Sequence, residues 1–537
     1  REAPLYSDLQ TLQLPVKSLR LGDTLEWQAR ITDFRAQAPG QFWSSESFAS
    51  GPVILDQTYE LRVPSAVHLT VWTNPRAGAK FSESEADGQH IYHWQHTDLH
   101  ATVGAEAEAA KKAESKRPRT PEEETDALQG ALPSFAWSTF PSWDAVGAWY
   151  ASLAADRTAP DDAIKSKVAD LTAGKSTDLD KAQAIYNFVA NHIRYIGVDL
   201  GIGRYQPHLA SEVFANQFGD CKDKHTLLAS MLSVAGIHAD PVLIGAGVRF
   251  NSAVPSPASF NHVITRASIG GKEVWLDSTA ETGVWGALMK PIRDRDALVV
   301  PSSGAAVIAH TPADLPFAQY SLSAVVGSLD TSLTSESTIT FTFHSDDELY
   351  LRAALRSVSP ADYGELIQRM MAGMGYGGTT SDPEIRYLDD PSRPLQLSLH
   401  YHRVPEKDWG KNRITAIFQP IVLPYFTADE PPNSTIQLGS PRVETSTVEM
   451  QLPDGWSAKL PDAVHVHAPF ATLDMTYSLN DHKLLAERSL AVLLPTVNLK
   501  DAKKYQDWYD EASPGSYPYI LLLPRRASGI LPGLFHR

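Results

Sequence analysis

The stretch Gly219-Asp220-Cys221-Lys222-Asp223-Lys224-His225-Thr226-Leu227-Leu228 contains the single cysteine of this 537-residue chain. Asp220 is a typical residue for a helix N-cap, and Asp223 then falls in the first turn, where a carboxylate suits the positive end of the helix dipole. Apolar residues recur behind them at helical spacing, and Gly236 provides a stop. The sequence therefore predicts a buried amphipathic helix with Cys221 in its first turn.

The chemistry of Cys221 has two interpretations. In the first turn of a helix, the unpaired backbone N–H groups and the helix dipole favour the thiolate, which is the nucleophilic form of cysteine. Alternatively, a free cysteine is a small buried apolar residue with no chemical role. The charged neighbours of Cys221 favour the first interpretation, because a packed core seldom places a cysteine among charges.

Two predicted strands downstream carry a histidine and an aspartate. Residues 261–269 and 272–277 form these strands, and Gly270-Gly271 is a two-residue hairpin turn between them. A tight turn makes His262 and Asp277 diagonal neighbours on one face of the hairpin. A cysteine nucleophile needs a base, and the base needs a carboxylate that orients it. We therefore expect Cys221, His262 and Asp277 to form a catalytic triad.

Two other histidines are alternative bases. His208 and His225 are closer to Cys221 in sequence than His262 is. For neither of them does the sequence predict a carboxylate on a matching strand face, so His262 is the preferred candidate.

This order of residues resembles the transglutaminase-like superfamily, whose core is papain-like. The resemblance extends to short motifs between about residues 133 and 300, namely Ile193-Arg194-Tyr195, Tyr205-Gln206-Pro207, Gly219 to Lys224, Phe260-Asn261-His262 and Trp275-Leu276-Asp277-Ser278-Thr279. More narrowly, the chain is similar to bacterial multidomain proteins that carry an N-terminal β-rich domain of unknown function. The resemblance implies catalytic roles for Cys221, His262 and Asp277, and an oxyanion hole formed by Gln206 and the backbone N–H of Cys221.

The function implied by the resemblance is thiol-dependent acyl transfer on a peptide or protein amide. Water as the acceptor would make a peptidase or amidase, and an amine would make a transglutaminase; the sequence does not separate them. The alternative class is a non-catalytic binding or scaffold protein of the cell envelope with a vestigial core. The resemblance also implies a periplasmic or secreted protein, and we expect an upstream segment because the chain starts at Arg1 without a methionine.

Length and patterning predict several domains. Residues 1–103 read as strands, including 25–31, 57–63 and 68–72, and predict a β-sandwich-like domain. Residues 104–130 predict a charged linker, and residues 131–312 the cysteine catalytic core. Residues 313–537 predict a mainly-β domain with a helical insert at 360–374 and a terminal helix at 499–511. The predicted fold class is α+β, with a papain-like transglutaminase core flanked by two mainly-β, sandwich-like domains.

Composition limits the partners. A formal charge of −16 argues against nucleic acid. No apolar run approaches the roughly 18 residues of a membrane span, and one cysteine excludes an internal disulfide. No cofactor motif is visible. The glycine run at 373–378 follows a helix, whereas a glycine loop that binds phosphate follows a strand. We expect a peptide or protein substrate, a cell-envelope component as a further candidate partner, and no cofactor.

Two side-chain clusters of the first domain have competing interpretations. Four histidines, His90, His93, His96 and His100, suggest a metal site, but the residues between them predict a strand, which would not gather a closed ligand set. We therefore predict no metal site. The tryptophans Trp27, Trp43, Trp72 and Trp94 are either core residues or a face that binds glycans or peptides.

Overall fold

The computed structural model describes residues 5–7, 13–34, 36–49, 54–99, 117–199, 201–405, 410–419, 421–427, 430–516 and 519–524. It is a mixed structure with 25% helix and 34% strand, which confirms the predicted α+β class. The chain divides into two compact units. The described residues between 5 and 99 and between 121 and 313 build the first unit, and residues 117–120 and those from 314 onwards build the second.

The first unit contains two small antiparallel sheets. The strands in this part of the chain are β1 (Leu5–Ser7), β2 (Trp43–Glu46), β3 (Ile54–Pro64), β4 (Thr70–Thr73), β5 (Lys80–Ala86), β6 (Gln89–Leu99) and β7 (Phe135–Ser138). One sheet has the order β3-β6-β5 and the other β2-β7-β4. Both sheets contribute to one aromatic core, in which the fully buried Trp94 stacks on Phe135 with 4.5 Å between ring centroids. The arrangement is sandwich-like, and Trp94 is a core residue.

The strand predicted over residues 25–31 is not formed. This segment has no regular secondary structure, and Trp27 is 79% exposed. Alternating apolar and polar residues make a strand only when a neighbour completes the backbone hydrogen bonds. In the described part of the chain, no strand pairs with residues 25–31, so the alternation has no structural effect.

The strand predicted for the histidine cluster is confirmed. His90, His93 and His96 lie on β6, and His100 lies outside the described residues. Side chains alternate across a strand, so His93 is on the opposite face from His90 and His96. The Nε2 of His90 instead pairs with the carboxylate of Glu85 on β5 at 2.5 Å.

A helix, α1 (Pro121–Gln129), occupies part of the predicted linker. Its Asp126 forms ion pairs with Arg76 and, at 2.5 Å, with Arg249. Arg295 donates hydrogen bonds to the carbonyls of Leu128 and Gln129 at 3.1 and 2.7 Å. Asp126 and the carbonyls at the end of α1 therefore fix this helix to the first unit, and residues 104–116 of the predicted linker lie outside the described residues.

The remaining part of the first unit surrounds one buried helix. Its helices are α2 (Trp143–Ala154), α3 (Asp162–Thr172), α4 (Asp178–His192), α5 (Ala210–Asn216) and α6 (Cys221–Val234). Its strands are β8 (Arg194–Tyr195), β9 (Gly197–Asp199), β10 (Phe218–Gly219), β11 (His238–Ile244), β12 (His262–Ile269), β13 (Lys272–Leu276), β14 (Asp296–Val299) and β15 (Val307–His310). The main sheet has the order β13-β12-β11-β14-β15, β10 pairs with β8, and β9 pairs with β1.

The helix α6 is buried more completely than its sequence predicts. Residues 222–232 are all buried, including the charged residues of the first turn. Its apolar side packs on α4, β12 and β13 through a cluster that includes Leu228 and Met231. The predicted burial of this helix is therefore found, and it extends to the charged residues of the first turn.

The predicted hairpin is confirmed. Ile269 pairs with Lys272, and Thr265 pairs with Leu276. Gly270 and Gly271 have φ values of 58° and 78°, which suit glycine and produce a turn that matches the twist of the strands. Because this register is fixed, His262 at the start of β12 comes close to Asp277 just after β13.

The second unit is mainly β, as predicted. Its strands are β16 (Gln319–Leu329), β17 (Ser335–His344), β18 (Thr379–Arg386), β19 (Leu395–Arg403), β20 (Arg413–Thr415), β21 (Ile436–Gln437), β22 (Arg442–Gln451), β23 (Ser457–Lys459), β24 (Val464–His467), β25 (Ala471–Asn480), β26 (Lys483–Val492), β27 (Thr496–Val497) and β28 (Tyr519–Leu523). An eight-stranded sheet has the order β18-β19-β17-β16-β22-β26-β25-β24. The helices are α7 (Asp346–Ser357), α8 (Tyr363–Gly373) and α9 (Ala502–Ser516).

The sequence analysis missed α7, which holds a buried ion pair. Glu348 and Arg352 lie one turn apart on α7 and are 1% and 0% exposed. Their side chains meet at 2.8 Å, and Arg352 also donates to the backbone carbonyls of Tyr387, Leu388 and Arg393. The N-cap Ser345, followed by three acidic residues, was the available sequence signal for this helix.

We expect Glu348→Ala to lower the free energy of unfolding by roughly 3–5 kcal/mol, because it leaves the Arg352 charge buried without its partner. The chain offers a matched control in Glu365→Ala, which removes the same i, i+4 Glu–Arg pair from α8, where both side chains are about 70% exposed. Denaturant unfolding of the two variants measures the difference. Equal stability of the two variants would contradict the prediction.

In the described part of the chain, each helix is too short or too polar to span a bilayer.

Candidate active site

Cys221 is the first residue of α6. The Asp220 carboxylate caps the helix by accepting the N–H of Asp223 at 3.3 Å, and the Asp223 carboxylate accepts the N–H of Asp220 at 3.2 Å. The first helical hydrogen bond runs from the N–H of Lys224 to the carbonyl of Asp220. The N–H of Cys221 precedes this bond, so no carbonyl of the helix can accept it. The thiol is half-buried and shares the end of the helix with this N–H group.

Buried ion pairs fix the first turn of α6. Lys222 pairs with Asp220, and both are nearly fully buried. His208 pairs through Nδ1 with Asp223 at 3.0 Å. Gly219 is required beside them, because a Cβ there would lie 2.6 Å from the Cβ of Asp223. The sequence analysis found no strand carboxylate for His208, and the structure gives it one on the helix.

The pKa values of the two aspartates are shifted in opposite directions. Burial and the neighbouring charge of Asp223 raise the pKa of Asp220, although Lys222 opposes this shift. Burial also acts to raise the pKa of Asp223, but the hydrogen bond from His208 and the charge of Lys222 outweigh it and lower that pKa. The hydrogen bond with Asp223 raises the pKa of His208. His208 is therefore engaged with Asp223 as an ion pair.

His262 and Asp277 form the pair that the hairpin register predicts. The Nε2 of His262 lies 3.2 Å from the Oδ2 of Asp277, and the two side chains are 12% and 5% exposed. Cys221 lies close enough to His262 to raise its pKa, both as a hydrogen-bonding partner and as a charge. Because Nε2 faces Asp277, Nδ1 is the ring nitrogen available to the thiol.

The Asp277 carboxylate is held from its other side. Its Oδ1 accepts hydrogen bonds from the N–H of Thr279 at 2.9 Å and from the hydroxyl of Thr279 at 2.6 Å. The hydroxyl of Tyr186 on α4 donates to the backbone carbonyl of Asp277 at 2.9 Å. Asp277 can therefore present Oδ2 to His262 in one fixed direction.

Burial alone would lower the pKa of His262. The charge of Asp277, the hydrogen bond with it and the hydrogen bond with Cys221 outweigh burial and raise the pKa of His262 to about 10. The pKa of Asp277 is lowered: burial opposes this, but the charge and hydrogen bond of His262 prevail, with a further contribution from Thr279. At neutral pH this pair is an imidazolium and a carboxylate, which suits a neighbouring thiolate.

His225, the other alternative base, has a structural environment. It is 5% exposed, and its Nδ1 lies 2.8 Å from the hydroxyl of Thr265 on β12. Burial lowers the pKa of His225 to about 4, against the opposing charge of Asp240. A histidine that stays neutral and is already bonded to a strand hydroxyl is a poor partner for a thiolate.

Gln206 lies in the loop before α5. Its N–H donates to the carbonyl of Ile202 at 2.9 Å, and the residue is half-buried. The residue of this loop that shares an apolar cluster with Cys221 is the preceding Tyr205. The structure thus places the loop beside the cysteine, and an oxyanion role for Gln206 stays a proposal.

Aromatic rings from both parts of the first unit pack in the same apolar cluster as Cys221. Trp43 on β2 lies 5.7 Å from Trp149 on α2 and 6.2 Å from Tyr205, measured between ring centroids. Trp149 and Tyr205 are 5.0 Å apart. These three rings and Cys221 belong to the same cluster. The sequence left Trp43 open between core and binding face, and in the structure it packs in the apolar cluster that also includes Cys221.

The site has the parts that nucleophilic catalysis requires. A thiol at a helix N-terminus, a histidine bonded to it and a carboxylate that orients the histidine are the elements of a cysteine triad. No group of three or more histidine, cysteine, aspartate or glutamate side chains among the described residues is arranged to hold a metal ion.

Residues 165–270 match the family model of the Transglutaminase-like superfamily. Residues 1–103 match the model of a Domain of Unknown Function, DUF3857. The predicted resemblance is confirmed on both counts: the chain carries a transglutaminase-like core behind an N-terminal domain of unknown function. No curated protein matches the chain.

Two solved structures are similar to this chain. One is a "putative protease" from Parabacteroides distasonis, which matches with 14% identity and a TM-score of 0.52 over 90% of this chain and 75% of that chain. The other is a "putative cysteine protease" from Cytophaga hutchinsonii, with 13% identity and a TM-score of 0.21 over 50% of this chain and 83% of that chain. The first shows that the fold is shared.

Proposed function

We propose that this chain, with its transglutaminase-like core, is an enzyme that transfers acyl groups from peptide or protein amides through a cysteine nucleophile. The observation that carries the proposal is the arrangement of His262, which bonds Asp277 through Nε2 and lies close enough to Cys221, at the start of α6, for the thiol to raise its pKa. A histidine placed between a thiol and a buried carboxylate has the position of a general base and acid.

The residues of the site divide the steps of this reaction between them. The Sγ of Cys221 attacks the carbonyl carbon of the amide as a thiolate, and its proton is held by His262. The carbonyl π electrons move to oxygen and form an oxyanion, which the N–H of Cys221 and, by resemblance, the side chain of Gln206 stabilise. When the oxyanion collapses, the C–N bond breaks, and His262 gives its proton to the leaving amine. Asp277 keeps the imidazolium oriented throughout.

The resulting thioester is resolved by a second nucleophile. Attack by water, with its proton passing to His262, releases a carboxylic acid and regenerates the thiol. Attack by an amine instead gives a new amide. The name of the similar solved structure from Parabacteroides distasonis supports a protease-like function in general. The family resemblance further supports a periplasmic or secreted enzyme that acts on peptides or proteins of the cell envelope.

The proposal is tested by alkylation of Cys221 with iodoacetamide between about pH 5 and 9, a range that separates an activated thiolate from an ordinary thiol. Because the chain has one cysteine, mass spectrometry reports on Cys221 alone. At pH 5–6 we expect the wild-type protein to react at least about tenfold faster than His262→Ala, since the imidazolium stabilises the thiolate. The control is His310→Ala, which removes a half-exposed histidine that also pairs with aspartates.

Active preparations should then hydrolyse peptide amides or attach a fluorescent amine to a peptide. Slow alkylation that is identical in wild-type protein and His262→Ala would contradict the proposal. That result would favour the alternative, a binding or scaffold protein whose transglutaminase-like core has lost its chemistry.

A further inference from the structure

The hydroxyl of Tyr150 is a buried donor without a partner. Tyr150 lies on α2, is 3% exposed, and packs in the same cluster as Cys221. Within the described residues, its hydroxyl oxygen has no hydrogen-bond partner. A buried hydroxyl without a partner costs about 1–3 kcal/mol, so such a group needs an explanation.

The surroundings of Tyr150 show what this donor faces. Burial raises the pKa of Tyr150 well above 10, and the charges of Cys221, Asp220 and Asp223 raise it further. The phenol therefore stays protonated at any pH at which the enzyme would work, and towards an anion it acts as a hydrogen-bond donor. It also lies near the start of α6, where the N–H of Cys221 has no carbonyl partner in the helix.

Among the described residues, this cluster contains a second buried donor without an acceptor, the Nε1 of Trp149. Its ring is packed against Trp43 and Tyr205. The Tyr150 hydroxyl is buried in the cluster against which Cys221 packs, and the charges of Cys221, Asp220 and Asp223 act on it. Catalytic hydrogen bonds are often completed only when the substrate enters.

We propose that the Tyr150 hydroxyl donates a hydrogen bond to the oxyanion that forms when Cys221 attacks the substrate carbonyl. This inference rests on the proposed function and adds a residue to it. In the step itself, the S–C bond forms, the π electrons of the carbonyl move to its oxygen, and that oxygen accepts a hydrogen bond from the Tyr150 hydroxyl in addition to those from the Cys221 N–H and the Gln206 side chain. When the C–N bond breaks, the electrons return and the donors are released. The Tyr150 hydroxyl, which has no hydrogen-bond partner among the described residues of the free protein, thereby acquires one in the transition state.

The test is Tyr150→Phe, which removes only the hydroxyl. We expect kcat for a peptide amide to fall by about 10²–10³-fold, the effect of losing one oxyanion donor. A peptide aldehyde, which forms a tetrahedral adduct with the thiol, should bind at least about tenfold more weakly. Alkylation by iodoacetamide should proceed at the wild-type rate, because that displacement at a CH₂ carbon forms no oxyanion.

Unfolding measurements exclude a purely structural role. Tyr150→Phe removes an unpartnered hydroxyl and should leave stability unchanged or higher. The matched control is Tyr186→Phe, which removes a hydroxyl bonded to Asp277 and should lower stability by about 1 kcal/mol. Lower stability of Tyr150→Phe, or slower alkylation together with slower turnover, would overturn the inference.

Gln206→Ala separates the two candidate side-chain donors. A loss of turnover in Gln206→Ala with full activity in Tyr150→Phe would also overturn the inference while leaving the proposed function intact. If the wild-type protein neither turns over amides nor alkylates in a His262-dependent manner, the proposed function itself has failed. The two failures are therefore distinguishable in the same set of measurements.

Discussion

Cys221→Ser is expected to lower kcat/KM for a peptide amide by at least about 10⁴-fold, the scale seen when a nucleophile of a triad is removed. Serine is nearly the same size as cysteine, but its hydroxyl is a much weaker acid than a thiol. His262 therefore cannot stabilise the serine side chain as an anion in the free enzyme. Turnover of a fluorogenic peptide amide measures the loss. The variant should also take up no iodoacetamide, because the chain has no other cysteine.

The control is the free energy of unfolding of the Cys221→Ser variant itself. Cys221 is half-buried at a helix N-terminus, and the free energy of unfolding should change by less than about 1 kcal/mol. A folded variant without activity assigns the reaction to Sγ. A folded variant that keeps a tenth or more of wild-type activity would show that the nucleophile lies elsewhere.

Asp277→Asn is expected to lower kcat by about 10³–10⁴-fold, because an amide can hold His262 in the wrong tautomer and cannot stabilise the imidazolium. The same substitution should lower the free energy of unfolding by about 2–3 kcal/mol, since it removes one partner of a buried ion pair. Peptide hydrolysis and denaturant unfolding measure the two effects.

The loss of stability in Asp277→Asn depends on pH in a defined direction. The raised pKa of His262, about 10 against an ordinary 6.5, contributes stability that is complete below pH 6.5 and is lost as the pH rises towards 10. The lowered pKa of Asp277 contributes stability above its ordinary value of 3.8, which is lost as the pH falls below it. The difference between wild-type protein and Asp277→Asn should therefore be largest between about pH 4 and 6.5.

Asp296→Asn is the matched control for this dependence. It removes an aspartate that pairs with a histidine, His310, but both side chains are about half exposed and solvent screens their attraction. Little change in stability is expected for this variant at any pH. A loss in Asp277→Asn that grows with rising pH would contradict the ion pair between His262 and Asp277.

Local sequence signals predicted the elements that hold the proposed triad. An N-cap residue fixes where a helix begins, so Asp220 placed Cys221 in the first turn of α6. A Gly-Gly turn fixes a hairpin register, so the pairing of Ile269 with Lys272 brought His262 near Asp277. Both signals act within a few residues, where backbone geometry leaves few alternatives.

The rest of the site depends on contacts between distant parts of the chain. Tyr150, Trp43 and His208 are 71, 178 and 13 residues from Cys221, and no turn or helical spacing relates them to it. The same limit explains the failed strand at 25–31, which has the right alternation and no partner. The spacing of apolar residues predicts a helix or a strand. Tertiary packing decides which other elements lie next to it.

The strand Phe135–Ser138 has a consequence for how this protein can be divided. It is the middle strand of a sheet whose two outer strands, Trp43–Glu46 and Thr70–Thr73, come from the N-terminal domain. A recombinant fragment that starts just before this strand would expose both of its hydrogen-bonding edges and leave Trp149 and Tyr205 without the ring of Trp43. The two regions should therefore be produced and studied as one piece, because neither has a complete sheet without the other.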